Sequence, residues 1–364
     1  MKISRVLIVI VVIVIVVIVA LAAYELIIVP SNTSKNSIWN SAAEYPLEVA
    51  STPGSGGQQC LNSTTYIYCI GGEDINNGPR NAIFTSSPIL STASNISSWT
   101  TDSSVYPQNV YAESCVSYSG NVYCVGGIND DAQDDTNASY FAPLNNGAVG
   151  TWKSTTSYPT PVDTESCVTF SSYIYCIAGN NQTGGSDANA VNSSSVWFAP
   201  LSSSGIGKWS LTTPYPTGVY YPACFSSQED VYCVGGVSAG GSSSNSVYYA
   251  SLSSNGVGAW QQTTAYPESL SGQSCVIVSS TIYCVGGQGN NGAYSSSVFY
   301  ASISSSGVGS WSTGKTFPDT LTTACVVISS TMYCVGGYDL SSSGYSPAVY
   351  YATLNEITGT VTTT

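Results

Sequence analysis

The sequence predicts an all-β protein in which six four-stranded sheets are arranged as the blades of a propeller. Val, Ile, Tyr and Thr are abundant and are interrupted by frequent Gly and Pro, which is typical of strands joined by tight turns. A cysteine pair with eight intervening residues recurs six times along the 364-residue chain. The first cysteines of successive pairs are 50–57 residues apart, which is close to the period of a propeller blade.

Each repeat carries the same landmarks in the same order. The second cysteine precedes two small residues, which are Gly71-Gly72, Gly126-Gly127, Ala178-Gly179, Gly235-Gly236, Gly286-Gly287 and Gly336-Gly337. A strand-like run follows, for example SVYYASL from Ser246. Five of these runs precede a tryptophan, which is Trp99, Trp152, Trp209, Trp260 or Trp311. Because one such sheet cannot bury both faces alone, we expect successive sheets to pack radially and these aromatic residues to fill the space between them.

This order of landmarks resembles the kelch repeat, in which an apolar strand and a Gly-Gly pair are followed by a Tyr and then a Trp. The run IYCVGG at residues 282–287 is especially similar to it. The resemblance covers roughly residues 38–362. It implies a six-bladed kelch-type β-propeller, but it leaves function open, because kelch domains serve as binding scaffolds and, less often, as enzymes.

The sixth repeat lacks its tryptophan, and Thr362 stands at the equivalent position. An extra tryptophan, Trp39, precedes the first repeat and is followed by Tyr45-Pro46. We therefore expect the strand around Trp39 to complete the last sheet and to join the two ends of the ring.

The cysteine pairs predict disulfides within each repeat. A two-residue turn between the cysteines places them opposite each other in a non-hydrogen-bonded pair, where the Cα atoms approach to ~4.5 Å. The expected bonds are Cys60–Cys69, Cys115–Cys124, Cys167–Cys176, Cys224–Cys233, Cys275–Cys284 and Cys325–Cys334. A zinc site is disfavoured because the chain has no His, and free thiols would require a reducing compartment.

The N-terminal segment predicts a membrane anchor. Lys2 and Arg5 precede an apolar run at residues 6–23, close to the ~20 residues that span a bilayer. The predicted organisation is a cytoplasmic stub and transmembrane signal-anchor at residues 1–29, a linker at 30–37 and the propeller at 38–364. Because positive residues stay inside, we expect a single-pass membrane protein with an extracytoplasmic propeller. Cleavage after Ala20-Leu21-Ala22, as in a signal peptide, is the alternative.

Candidate glycosylation sites fit an exported chain. The Asn-x-Ser/Thr triplets begin at Asn32, Asn62, Asn95, Asn137, Asn181 and Asn192. Such triplets also arise by chance in a chain rich in Ser and Asn, so they support export without establishing it.

Charge suggests where a partner would bind. The net charge of −13 disfavours nucleic acid, and the pI near 4.1 suits acid surroundings. Segments between repeats carry acidic residues expected near the mouth of a central channel, which are Glu48, Glu113, Asp163, Glu165, Glu268 and Asp319. The run INDDAQDD adds candidate Ca²⁺ ligands, which are Asp130, Asp131, Asp134 and Asp135. A loop that is simply solvated is the alternative to the Ca²⁺ site.

Enzymatic chemistry is disfavoured by composition. The chain has no His, the usual group for proton transfer near neutral pH, and no arginine cluster, since Arg5 and Arg80 are its arginines. We therefore expect a non-enzymatic surface protein that binds a protein or a glycan at the cell surface. The alternatives are a carbohydrate-active enzyme with paired carboxylates and a structural component of the cell envelope.

Overall fold

The computed structural model describes residues 37–46, 49–50, 58–74, 78–79, 81–88, 95–129, 134–181, 191–339 and 344–359. The predicted membrane span at residues 6–23 lies outside these ranges, as does the predicted signal-peptidase site. Within the described ranges, no helix is long and apolar enough to cross a membrane.

The described residues form an all-β fold with six antiparallel main sheets, one for each repeat, and each sheet has four principal strands. The first sheet contains Gln59–Asn62, Ile67–Ile70, Ile83–Ser86 and Thr100–Thr101, and the second contains Ser114–Tyr118, Asn121–Val125, Ser139–Asn145 and Lys153–Ser154. The third contains Ser166–Phe170, Tyr173–Ile177, Val196–Ser202 and Ser210–Leu211, and the fourth contains Ala223–Ser227, Asp230–Val234, Val247–Ser253 and Gln261–Gln262. The fifth contains Ser274–Val278, Thr281–Val285, Val298–Ser304 and Ser312–Thr313. The sixth contains Leu321–Ile328, Thr331–Asp339, Gly344–Thr353 and the N-terminal strand Asn40–Ser41. Short strands at Ala148–Val149, Gly205–Ile206, Gly256–Val257 and Gly307–Val308 extend the third strands of sheets two to five.

The sheets pack around a common centre. The first strand of each sheet lies against the first strand of the next, and Leu321–Ile328 of the sixth sheet lies against Gln59–Asn62 of the first. Each pair of neighbouring sheets encloses its own apolar core, including the pair formed by the sixth and first sheets. This arrangement is propeller-like, and it buries both faces of every sheet as the repeat pattern predicted.

The N-terminal strand completes the sixth sheet, which confirms the prediction from Trp39. Asn40 pairs with Tyr351 and Ser41 pairs with Tyr350. Trp39 is buried, its ring lies 4.9 Å edge-on from that of Phe317, and its Nε1 donates to the carbonyl of Lys315 at 3.3 Å. After the strand that ends at Thr353, the chain enters a short helix, Leu354–Thr358.

The other tryptophans make the same contact in their own sheets. Trp209 lies 4.9 Å edge-on from Tyr158, and its Nε1 donates to the carbonyl of Thr156 at 3.2 Å. The remaining ring pairs are Trp99 with Tyr45, Trp152 with Tyr106, Trp260 with Tyr215 and Trp311 with Tyr266. The Tyr-Pro landmarks therefore supply the ring against which each tryptophan packs, and the expectation of a packing role is confirmed.

The disulfides follow the predicted pairing. All twelve cysteines are bonded within their own repeats, between the first and second strands, with Cα–Cα distances of 4.0–4.1 Å. In the second sheet, Tyr118 pairs with Asn121 next to the turn, and Cys115 faces Cys124 three pairs farther on. The two-residue turn thus sets the register that brings the sulfur atoms together.

Short strands outside the main sheets pair with one another where the chain enters repeats one to five. Val110–Tyr111 pairs with Ile128–Asn129, which pairs in turn with Asp134–Asp135. Equivalent short pairs are Val49–Ala50 with Glu73–Asp74 and then Gly78–Pro79, Asn180–Asn181 with Val191–Asn192, Val219–Tyr220 with Val237–Ser238, and Leu270–Ser271 with Gln288–Gly289. Asp134 and Asp135 of the INDDAQDD run, for which a solvated loop was the alternative to a Ca²⁺ site, therefore lie in a short strand.

Candidate functional site

An axial cavity of about 320 Å³ lies at the centre of the ring. Its wall is formed by the starts of the first strands of all six sheets, including the first cysteine of every disulfide. The first strand of each sheet begins directly after the segment that joins it to the preceding repeat. The cavity therefore lies at the same end of the ring as these segments and their short strand pairs. The six disulfides tie the wall of the cavity to the second strands behind it.

A chain of backbone hydrogen bonds runs around part of this wall. The amide of Thr164 donates to the carbonyl of Ala112 at 3.0 Å, and the amide of Tyr221 donates to the carbonyl of Thr164 at 3.2 Å. Gly272 continues the series by donating to Tyr221 at 3.4 Å. Ala112, Thr164 and Tyr221 have φ values of 53–60°, a conformation that costs free energy for residues other than Gly. The repeated left-handed backbone turns each peptide toward the neighbouring sheet.

Serine hydroxyls also join neighbouring sheets. The hydroxyl of Ser114 accepts a hydrogen bond from the amide of Cys167 at 2.9 Å. Ser166 accepts from Cys224 at 3.1 Å, and Ser274 accepts from Cys325 at 2.9 Å. Each serine immediately precedes the first cysteine of its own repeat. The same repeat position therefore binds the amide of the first cysteine in the next sheet, at the wall of the cavity.

The residue two positions before the first cysteine also lies at the junction between neighbouring sheets. We call this the linking position, and its occupants in order are Gln58, Glu113, Glu165, Pro222, Gln273 and Thr323. All six line the cavity. Nε2 of Gln273 donates to the carbonyl of Val234 in the preceding sheet at 2.9 Å, and Nε2 of Gln58 donates to the carbonyl of Val335 at 2.9 Å.

Two of the predicted acidic residues, Glu113 and Glu165, occupy linking positions. They are 1% and 5% exposed, and apart from the residue's own amide neither carboxyl oxygen of either residue meets a hydrogen-bond donor. Burial raises the pKa of Glu113 from 4.5 to about 8, although its own amide lowers the value in part. Burial also raises the pKa of Glu165 well above its usual range, with further increases from Asp163, Asp135 and Glu113. These side chains line the cavity, but they do not form an exposed acidic surface.

The other predicted acidic residues have different surroundings. Asp163 is buried and forms an isolated bridge with Asn180. Glu268 is half-buried and accepts hydrogen bonds from the hydroxyls of Ser295 and Ser297 at 2.7–2.9 Å. Asp319 is also half-buried and does not line the cavity. Glu48 lies outside the described residues.

The predicted Ca²⁺ site is only partly described. Asp130 and Asp131 lie outside the described ranges, whereas Asp134 is half-buried and Asp135 is buried. Across the described part of the chain, no group of three or more His, Cys, Asp or Glu side chains is arranged to hold a metal ion. The Ca²⁺ site stays a prediction.

The candidate glycosylation sites differ in accessibility. Asn137 is exposed, whereas the amide nitrogens of Asn62, Asn181 and Asn192 donate to backbone carbonyls. Asn95 is half-buried, and Asn32 lies outside the described residues. Asn62 is also exposed, and glycosylation stays a prediction.

Three tyrosines form a cluster at the same end of the ring as the cavity. The ring of Tyr338 lies 5.2 Å from that of Tyr294 and 5.8 Å from that of Tyr345. All three side chains are half-buried, and burial raises the pKa of Tyr294 to about 12. No sequence pattern predicts this cluster, because the three residues lie in segments of unequal length that do not align between repeats.

The described part of the chain is therefore a disulfide-rich, all-β protein with a propeller-like fold. No protein-family model matches the chain, and no curated protein matches its sequence. Among solved structures, the fold is similar to the one titled "Structure of YjhT", with a TM-score of 0.66 and 14% sequence identity. The match covers 86% of this chain and 97% of that chain. At this identity, the similarity concerns the fold alone.

Proposed function

We propose that this chain is a non-enzymatic binding protein of the cell exterior, built as a six-bladed kelch-type propeller, and that it binds glycans where the axial cavity lies. The axial cavity carries this proposal. Its volume of about 320 Å³ is at the lower end of the ~300–1,000 Å³ typical of small-molecule sites. It therefore suits a small ligand or one terminal group of a larger ligand.

The chemistry around the cavity favours a ligand rich in hydroxyl groups. Its wall presents polar groups, among them Gln59, Ser114, Ser166 and Ser274. The cluster of Tyr294, Tyr338 and Tyr345, which lies at the same end of the ring without lining the cavity, offers further ring faces and hydroxyl groups. Tyrosine suits such surfaces because its ring packs against apolar groups while its hydroxyl stays hydrogen-bonded.

The disulfides support an extracellular location. Twelve cysteines forming six bonds are typical of proteins outside the reducing cytosol. With the apolar run at residues 6–23, they favour a single-pass protein whose N-terminus is cytoplasmic and whose propeller faces outward.

An array of neutral and acidic oligosaccharides tests the binding proposal with the full-length chain. We expect a subset of oligosaccharides to bind, and we expect Tyr338→Ala to weaken that binding about tenfold through loss of one aromatic contact. Tyr338→Phe is the matched control, since it keeps the ring and should retain most of the affinity. Failure to bind any oligosaccharide, or equal affinity of Tyr338→Ala and the unaltered chain, would contradict the proposal.

A carbohydrate-active enzyme is the second candidate. Glu113 and Glu165 line one cavity and both have raised pKa values, a property that a catalytic acid requires. Release of new reducing ends from a bound oligosaccharide, lost in Glu165→Gln, would support this candidate. Binding without hydrolysis would support the non-enzymatic function.

A further inference from the structure

The two glutamines show what the linking position does. Gln58 and Gln273 each extend from one sheet to a backbone carbonyl of the preceding sheet, through a buried Nε2–H···O bond of 2.9 Å. The acceptors, Val335 and Val234, each immediately precede the first glycine of the Gly-Gly pair. Oε1 of each glutamine has no hydrogen-bond partner. The link between the sheets therefore depends on one donor.

Glu113 and Glu165 place an oxygen where Gln273 places its donor. A Cβ atom added to Gly235 would lie 2.6 Å from Nε2 of Gln273. A Cβ atom added to Gly71 would lie 2.5 Å from Oε1 of Glu113, and one added to Gly126 would lie 2.9 Å from Oε1 of Glu165. The residues before these glycines are Ile70 and Val125, so their carbonyls correspond to the acceptor Val234.

The sequence of the third and fourth repeats agrees with this geometry. Pro222 occupies the linking position of the fourth repeat and has no polar head group to insert. In the preceding repeat, Ala178 replaces the first glycine of the pair, with a φ of 59°. Ala178 therefore carries a side chain at the glycine position that faces Pro222, where no polar head group occupies the space.

An ionised carboxylate cannot replace the glutamine amide, because it has no hydrogen to donate to a carbonyl. A protonated carboxyl can, because its O–H group is a donor. We propose that Glu113 and Glu165 are held as carboxylic acids that donate hydrogen bonds to the carbonyls of Ile70 and Val125. The hydrogen bond from Glu113 then joins the second sheet to the first, and the one from Glu165 joins the third sheet to the second. The inference concerns how neighbouring sheets are held together and stands apart from ligand binding.

The groups around the two carboxyls favour the neutral form. Glu113 is near Glu165 and raises the pKa values of Tyr45 and Tyr106. Glu165 is near Asp163 and Asp135 and raises the pKa values of Tyr106 and Tyr158. Among the described residues, no Lys or Arg contributes to the pKa of either carboxyl. Burial without a neighbouring cation makes ionisation costly, so a proton remains the available means of neutralisation.

The test compares guanidinium unfolding of the full-length chain at several pH values between 4.5 and 8, the interval over which burial moves the pKa of Glu113. Glu113→Gln and Glu165→Gln restore the donor without a proton. Each should leave stability nearly unchanged at the acid end and raise the ratio of folded to unfolded protein by more than about tenfold at the alkaline end. Glu229→Gln, at an exposed turn residue, is the matched control and should retain the pH dependence of the unaltered chain.

The reverse substitution tests the same inference independently. Gln273→Glu should introduce a new loss of stability as pH rises, because the link to Val234 then requires a proton. The proposal is overturned if Gln273→Glu is as stable as the unaltered chain at the alkaline end. It is also overturned if Glu113→Gln and Glu165→Gln keep the full pH dependence or fail to fold, since glutamine already occupies this position in two repeats.

Discussion

Nε2 of Gln273 lies 2.9 Å from the carbonyl oxygen of Val234, and this bond joins the fifth sheet to the fourth at the wall of the axial cavity. Gln58 and Val335 make the same bond between the first sheet and the sixth. The second bond spans the junction at which the ring closes, so the linking position helps to hold together parts of the chain that are distant in sequence.

The pH dependence of folding follows from the raised pKa values of Glu113 and Glu165. In this interval the folded state binds protons that the unfolded state releases, so stability is fully present below pH 4.5 and falls as pH rises toward about 8. Each carboxyl contributes a slope of at most about 1.4 kcal/mol per pH unit. Thermal or denaturant unfolding of the full-length chain over this interval measures the effect. Greater stability at the alkaline end would contradict it.

Loss of one disulfide should destabilise the chain without changing its fold. We expect the double variant Cys275→Ser and Cys284→Ser to lose at most about 2.7 kcal/mol in the free energy of unfolding, the chain-entropy value for a ~10-residue loop. The hairpin already holds the two strands in register, which reduces the effect. Denaturant unfolding measures the loss, and non-reducing peptide mapping verifies the remaining five bonds. Cross-linked peptides from different repeats would contradict the pairing.

Closure of the ring depends on Trp39. Removing its side chain in Trp39→Ala should cost about 3–5 kcal/mol, because the residue is buried against Phe317 and its indole nitrogen donates to Lys315. Trp209→Ala removes the equivalent contact from the third sheet and is the matched comparison. An unfolding free energy unchanged by Trp39→Ala would show that another segment closes the ring.

The first glycine of the Gly-Gly pair is required for space as well as for backbone conformation. A Cβ atom at Gly235 would contact the carbonyl oxygen of Leu270 and Nε2 of Gln273, whereas one at Gly241 would meet no atom within 4 Å. Both glycines have similar φ values, 68° and 74°. Gly241→Ala should therefore cost about 1–2 kcal/mol from backbone strain, and Gly235→Ala should cost more. Equal costs in denaturant unfolding would contradict the steric requirement.

The repeated landmarks predicted much of the fold. The C-x8-C spacing and the two-residue turn fixed the strand register and therefore the disulfides, and the extra Trp39 predicted the closing strand. These predictions rest on local geometry repeated six times. The short strand pairs were missed because their segments differ in length between repeats, as the acidic run before Asp134 shows.

The candidate site was harder to predict because burial depends on packing between sheets. Glu113 and Glu165 lie in segments between repeats, where sequence alone favours a solvated carboxylate. A signal was nevertheless present, since aligning the repeats places both residues in the same column as Gln58 and Gln273. Glu or Gln occupies four of the six positions in this column, which indicates a shared shape and a shared need for a donor. The tyrosine cluster had no comparable signal.

A high-resolution crystal structure grown near pH 4.5 tests the protonated links most directly. We predict that Oε1 of Glu113 lies about 2.5–2.7 Å from the carbonyl oxygen of Ile70, with Glu165 and Val125 arranged alike, because an O–H donor forms a short bond to oxygen. In the same crystal, the links of Gln58 and Gln273 should remain. Carboxyl groups turned into the cavity and bound to water or a cation, with the Ile70 and Val125 carbonyls bonded elsewhere, would contradict the account.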